Sequence, residues 1–180
     1  MLKYFRRIII NASVAGAAGG ERAIYPTSRN CRDFLYEILH LGHVIIMTSE
    51  IMTQWKEHGS LYSLKWHVMM IKRKKRIILN NVENDELRQK IITNAPDDGS
   101  RKAMIDDIIL IEAAMGSDNT IASLDETIRK KYKKISIKVT EIGQIIWVNP
   151  DKEDEEPIIW LRQGANPDEE RKLGYQLPLA

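Results

Sequence analysis

The stretch RRIIINASVAG, residues 6–16, joins a strongly apolar run to an asparagine and a series of small residues. Three consecutive isoleucines are typical of a strand that is buried on both faces, as in a parallel sheet. The apolar run stops at Asn11. The stretch therefore predicts a central strand whose carboxyl end carries an amide side chain.

Apolar runs and segments of helical periodicity alternate along the rest of the chain. Residues 27–41 have helical spacing and end at Gly42, and residues 43–47 form a short apolar run before helical spacing returns at Ser49. The same patterns predict a helix in 60–75, a strand in 76–80, a helix in 84–96, one continuous helix from Ser100 to Gly116, a strand and a helix in 119–132, and a late strand in 135–149. This alternation predicts a three-layer α/β/α sandwich with a mostly parallel central sheet.

Composition and charge fit a globular protein without naming its partner. The chain has 180 residues, 43% of them hydrophobic, and its 27 Lys and Arg nearly balance 25 Asp and Glu. A net charge of +2 neither requires nor excludes a nucleic acid. Cys31 has no second cysteine for an internal disulfide, and no apolar run approaches the ~20 residues of a membrane-spanning helix. We therefore expect a cytoplasmic protein with no membrane partner.

The composition changes near residue 150. The segment PDKEDEEP, residues 150–157, is acidic and rich in turn-forming residues, and little periodicity follows it. This change predicts a domain in residues 1–149 and an acidic linker with a C-terminal appendage in residues 150–180. The apolar residues Trp160, Leu161, Tyr175 and Leu177 predict that the appendage docks on a surface.

Several acidic residues are expected at the carboxyl ends of the predicted strands, where open parallel sheets bind ligands. Glu50 follows the second strand, Asp107 lies on the predicted long helix, and Asp125 follows the apolar segment TIAS. Clustered carboxylates repel one another, and a hard cation such as Mg²⁺ or Mn²⁺ relieves that repulsion. Such a site suits metal-assisted phosphodiester hydrolysis. Taken singly, Glu50 or Asp125 would also complement a helix dipole.

Four blocks of sequence, IIINASV, TSEIMTQW, DDIILIEAAMG and IASLDE, follow one another along the chain. Their order resembles that of the PIN-domain nucleases, a family that includes many toxins of bacterial toxin–antitoxin pairs. The family pattern is a strand ending in an acid, a Ser-Glu that opens a helix, an Asp on a helix that runs into alanines, and finally Thr or Ser, any residue, Asp. The resemblance covers roughly residues 6–148.

The resemblance implies an Mg²⁺- or Mn²⁺-dependent endoribonuclease. Glu50, Asp107 and Asp125 would be its metal ligands and catalytic acids, and Ser123 would support them by hydrogen bonding. Asp106 is the alternative to Asp107. The partners implied are RNA, an antitoxin protein and a second copy of the chain.

Asn11 is the departure from the family pattern, because it stands where the family has its first aspartate. We count it with the catalytic and metal-site positions, although an amide brings no charge. The expected nuclease is therefore weakened or inactive, whether the asparagine is natural or introduced. The alternative is a non-catalytic PIN-like protein that binds RNA or a protein partner. An unrelated Mg²⁺-dependent phosphatase is disfavoured, since no DxD signature follows a strand.

A run of five cations follows the third predicted helix. It comprises Lys72, Arg73, Lys74, Lys75 and Arg76. Beside a phosphodiesterase site, this run would bind RNA phosphates without base preference. The alternative is a solvated helix end whose cations complement the helix dipole.

Overall fold

A five-stranded, all-parallel sheet forms the centre of the molecule. The computed structural model describes residues 5–20 and 23–176. The strands are β1 (Arg7–Ile10), β2 (Val44–Met47), β3 (Arg76–Ile78), β4 (Thr120–Ala122) and β5 (Ile146–Val148). They lie in the order β3-β2-β1-β4-β5. The predicted α/β sandwich is confirmed, and within the described residues every pairing in the sheet is parallel.

Helices flank the sheet on both faces. They are α1 (Ala12–Ala17), α2 (Thr27–Leu41), α3 (Ser49–His58), α4 (Leu61–Lys72), α5 (Asp85–Asn94), α6 (Asp98–Asp106), α7 (Ile108–Met115), α8 (Glu126–Ile135) and α9 (Pro157–Arg162). Three short 3-10 helices cover Thr140–Gln144, Glu153–Glu155 and Glu169–Arg171. Within residues 5–20 and 23–176, no helix combines the length and apolarity needed to cross a membrane.

The order of the strands creates a reversal next to β1. The chain passes from β1 to β2 and then to β3 on one side, and it returns through α5, α6 and α7 to β4 on the other side of β1. The backbone N–H of Asn11 donates to Ala122 O at 2.9 Å, where the carboxyl ends of β1 and β4 meet. In open α/β sheets, such a reversal leaves a crevice at the carboxyl edge in which ligands bind.

The helix predicted as continuous from Ser100 to Gly116 is broken in the structure. It forms α6 and α7, with Asp107 at the junction in a non-helical conformation, φ −102° and ψ 5°. The first helix begins at Asp98 behind Asp97, whose carboxylate accepts a hydrogen bond from the Ser100 N–H at 2.8 Å. Apolar spacing continues through the junction, so periodicity alone does not reveal the break.

The C-terminal segment corrects the predicted domain boundary. Trp160, Leu161, Ala165 and Leu173 are buried in the same hydrophobic core as the sheet. Helix α9 packs against α2, and Leu173 N–H donates to Ile145 O at 2.8 Å, beside the edge strand β5. Residues 157–173 are therefore part of the α/β core rather than an appendage outside it. Leu177, predicted to help in docking, lies outside the described residues.

Replacing Trp160 by alanine should test whether this segment belongs to the core. The Trp160 side chain is 2% exposed, and its truncation should lower the free energy of unfolding by about 3–5 kcal/mol. The control is Ile159→Ala on the same helix, where the side chain is 46% exposed and the loss should stay below about 1 kcal/mol. Urea denaturation measures both, and equal small losses would restore the appendage interpretation.

Candidate functional site

Four strands end in a buried polar residue at the carboxyl edge of the sheet. Asn11 follows β1, Thr48 follows β2, Ser123 follows β4 and Asn149 follows β5, and each is at most 9% exposed. Buried polar side chains must be hydrogen-bonded, so these residues tie the strand ends to the helices that follow. Thr48 and Asn149 were not predicted as site residues.

Ser123 is the centre of the hydrogen bonds in the crevice between β1 and β4. It is fully buried, and its Oγ accepts from Asn11 Nδ2 at 3.0 Å and from the Asp125 N–H at 3.1 Å. The Ser13 hydroxyl lies 3.5 Å from the same oxygen. One hydroxyl thus links the end of β1 to the loop that carries Asp125.

Both ends of the Asn11 amide are used. Its Oδ1 accepts from the Ser13 N–H at 3.2 Å and so caps α1, while Nδ2 donates to Ser123. A carboxylate would cap the helix equally well, but it has no N–H to donate, so the Ser123 hydroxyl would have to supply the proton. An asparagine here therefore satisfies the strand end without adding a negative charge.

Asp107 is the most perturbed carboxyl group of the site. It is half-buried at the junction of α6 and α7, and no described residue donates a hydrogen bond to its side chain. Burial, followed by the neighbouring charges of Asp125 and Asp106, raises the pKa of Asp107 from 3.8 to about 6. A poorly solvated carboxylate without donors is a group that a cation or a proton stabilises.

The other two predicted acids have contacts of their own. Asp125 Oδ1 accepts from the Ile128 N–H at 2.8 Å and caps α8. Glu50 is exposed in the first turn of α3, where hydrogen bonds from its own backbone and from Thr48 lower its pKa. The structure therefore brings Asn11, Ser123, Asp125 and Asp107 together. Glu50 lies at the same edge, where the charge of Arg88 also lowers its pKa.

A cleft of about 640 Å³ opens beside Asn11 and Asp107. Its walls are Asn11, Ala12, Ser13, Gly16 and Ala17 at the end of β1 and along α1, Gln54, Glu57 and His58 at the end of α3, and Asp107. The sequence analysis did not predict that the end of α3 lines the cleft. The signal for it was Gly16, because a Cβ there would lie 2.6 Å from the His58 carbonyl oxygen. Only glycine allows α1 and α3 to approach this closely.

The oxygen donors at this cleft suit a weakly held divalent cation. Asp107 supplies a carboxylate that lines the cleft, the Asp125 carboxylate lies outside the lining but close enough to raise the pKa of Asp107, and the Asn11 amide oxygen already accepts a hydrogen bond. Within the described residues, no group of three or more His, Cys, Asp or Glu is placed to hold a metal ion. Mg²⁺ is often bound through only one or two carboxylates together with waters and substrate phosphates, and the donor set fits that mode alone.

Two other acids, Glu112 and Asp118, are engaged in structural ion pairs, and Asp118 lies at the amino edge of the sheet. Glu112 is buried, and its Oε1 accepts from Arg88 at 2.8 Å, while Asp118 pairs with Arg7 at 2.6 Å. Asp106, the alternative to Asp107, is exposed and does not line the cleft. Of Asp106 and Asp107, it is therefore Asp107 that the fold directs to the cleft, where Glu57 of α3 is the other acid named among the walls.

The basic run lies at the other end of the sheet. Residues 72–76 precede and begin β3, and all strands are parallel, so the run is at the amino edge while Asn11 is at the carboxyl edge. Arg73 Nη1 donates to Leu39 O at 3.3 Å, and Lys75 Nζ lies 4.2 Å from the centre of the Phe5 ring. The expectation that the run borders the acidic site is wrong, because adjacency in sequence does not fix the edge of the sheet. Its affinity for RNA stays a prediction.

Comparisons of the chain with protein-family models, with curated proteins and with solved structures found no match.

Replacing Asp107 by asparagine should change how stability depends on pH. Because the folded pKa of about 6 lies above the ordinary 3.8, the folded wild type binds more protons than the unfolded chain between these values. Its free energy of unfolding should therefore fall as pH rises through this window. Asp107→Asn should remove that fall and be more stable above about pH 6, by on the order of 1–2 kcal/mol after allowance for solvent screening.

Urea denaturation at a series of pH values measures this difference. The control Asp106→Asn removes an exposed carboxylate from the same junction and should reduce the fall only slightly, because the charge of Asp106 is the smallest of the three causes that raise the pKa of Asp107. Parallel profiles for Asp107→Asn and the wild type would contradict the perturbed environment of Asp107.

Proposed function

We propose that the chain is a divalent-cation-dependent ribonuclease of the PIN-like type, weakened by Asn11. The observation that carries the proposal is the Asp107 carboxyl group, to which no group within the described residues donates a hydrogen bond. It lies beside Asp125 and lines the cleft where the order of the strands reverses. The order of the four sequence blocks and the parallel α/β fold support the same family. Within it, a toxin with an antitoxin partner is the type that the resemblance favours.

Each residue of the site has a part in this function. Asp107 and Asp125 would hold Mg²⁺ or Mn²⁺, which when bound would activate water and neutralise phosphate charge during hydrolysis of the RNA backbone. Ser123 orients Asn11 and the Asp125 backbone through its two hydrogen bonds. Asn11 contributes an oxygen without a charge, which lowers the attraction of the site for the cation.

A non-catalytic PIN-like protein that binds RNA or a protein partner is the second candidate. It is favoured by one observation, the use of both ends of the Asn11 amide in hydrogen bonds to Ser13 and Ser123. An amide held in this way stabilises the site in the absence of a cation, as expected of a protein that has gained stability and lost catalytic activity.

Replacing Asn11 by aspartate separates the two candidates. The added charge should tighten Mn²⁺ binding on the order of tenfold and raise cleavage of a fluorescent single-stranded RNA. The metal-free protein should become less stable, because three carboxylates repel one another, and Mn²⁺ should restore the stability. Calorimetric Mn²⁺ titration, thermal unfolding and a cleavage assay measure these changes.

The control combines Asn11→Asp with Asp107→Asn. It restores the wild-type count of carboxylates at the site and should lose the gain in Mn²⁺ affinity. If Asn11→Asp binds Mn²⁺ more tightly but cleaves no RNA, the binding candidate is favoured. Unchanged affinity, activity and stability would contradict a metal site at this cleft.

A further inference from the structure

Strand β3 is an open edge of the sheet. Lys75 O and Leu79 N–H each make a 2.9 Å hydrogen bond to β2. Because backbone groups alternate in direction along a strand, the N–H and C=O groups of Arg76 and Ile78 face away from β2. No residue within 5–20 and 23–176 hydrogen-bonds to these four groups. The edge thus offers two donors and two acceptors for a further strand.

Large apolar side chains are concentrated around this edge. Of the twelve large hydrophobic residues that are exposed in the described part of the chain, six lie on α4 and β3. They are Leu61, Val68, Met69 and Ile71 on α4 and Ile77 and Ile78 on β3. Two 2.9 Å backbone hydrogen bonds, from Lys74 to Ile71 and from Lys75 to Met70, hold the end of α4 next to the start of β3. An exposed isoleucine pair on an edge strand is a surface suited to pairing.

The charge of this surface has one sign. Residues 59–82 contain six Lys and Arg and no Asp or Glu. None of the six, Lys65 and the run 72–76, forms an ion pair with an acid in the described part of the chain. The strand edge and the helix α4 therefore present apolar side chains within a positive field.

We propose that the β3 edge and the exposed face of α4 bind an extended acidic segment of another protein, which adds to the sheet as a sixth strand. The backbone of the segment would pair with Arg76 and Ile78. Ile77 and Ile78 point to opposite faces of the sheet, so apolar side chains on one face of the added strand would cover one of the two isoleucines, and the carboxylates of the segment would meet the run 72–76. Main-chain pairing supplies affinity, and the alternating side chains supply specificity. This role is independent of the acidic cleft at the opposite edge of the sheet.

Two other occupants fit the surface less well. A second copy of the chain paired edge to edge about a two-fold axis would lie antiparallel, with each basic run opposite residues 78–82 of the other copy, and those residues contain no acid to complement the run. RNA would satisfy the cations, but its phosphates would leave the exposed isoleucines uncovered. An acidic peptide strand complements the charge, the apolar side chains and the free backbone groups together.

Fluorescence anisotropy with a labelled peptide of about eight residues that alternates Glu and Val tests the proposal. Lys72→Glu with Lys74→Glu should weaken binding at least about tenfold by reversing two charges. The control Lys130→Glu with Lys134→Glu makes the same change in net charge on exposed lysines of α8 and should stay within about twofold.

The backbone pairing has its own variants. Ile78→Pro removes an outward N–H while keeping the hydrogen bonds to β2, and it should weaken binding at least about tenfold. Methylating the backbone amides of the peptide should weaken its binding to the wild-type protein by about the same factor as Ile78→Pro does. Because this change leaves the protein itself unaltered, backbone pairing can still be tested if Ile78→Pro does not fold.

Four results would overturn the proposal. No saturable binding up to about 1 mM peptide would exclude it. If the methylated peptide binds as tightly as the unmethylated one, backbone pairing does not contribute and the surface is a polyanion site. The same conclusion follows if an oligouridine binds more tightly than the peptide and its binding depends on Lys72 and Lys74 but not on Ile78. If sedimentation shows a dimer of the wild-type chain and Ile78→Pro dissociates that dimer, the β3 edge is occupied by a second copy of the chain.

Discussion

Complete burial of β1 is the constraint on which the rest of the structure depends. Ile8, Ile9 and Ile10 are at most 1% exposed, and β1 is paired on both sides, by β2 and by β4. A strand with no access to water must have all its backbone groups bonded within the sheet. The chain therefore has to continue on one side of β1 and return on the other. That return creates the crevice in which Asn11 and Ser123 meet.

The acidic site balances electrostatic cost against hydrogen bonding. Asp107 is half-buried, and no group within the described residues donates a hydrogen bond to its side chain. Asp125 adds a second negative charge nearby, so the pKa of Asp107 rises to about 6. A third carboxylate at the end of β1 would increase this cost. Asn11 instead donates to Ser123 and caps α1, which stabilises the cleft in the absence of a cation. The same amide adds no charge that would attract one.

The small net charge of the chain conceals two local concentrations of charge, acidic residues at the carboxyl edge of the sheet and a basic run at the start of β3. The carboxyl edge carries Asp107, Asp125 and Glu50, while the amino edge carries the run 72–76 with no acid in residues 59–82. Charges of one sign collected on one surface steer a partner of the opposite sign. The two proposals accordingly assign different partners to the two surfaces, a cation with a phosphodiester to the cleft and an acidic chain to the β3 edge.

The sequence by itself determined the α/β class, the buried strand that ends at Asn11, and the helix that ends at Gly42, because periodicity and helix stops are local properties. The tertiary structure alone decided the break at Asp107, since apolar spacing continues through it. It also drew Trp160 into the core, because burial depends on the available surface of α2 and not on the acidic composition of the preceding segment. The edge of the sheet at which residues 72–76 lie follows from strand order and direction, which long-range pairing sets and no local pattern encodes.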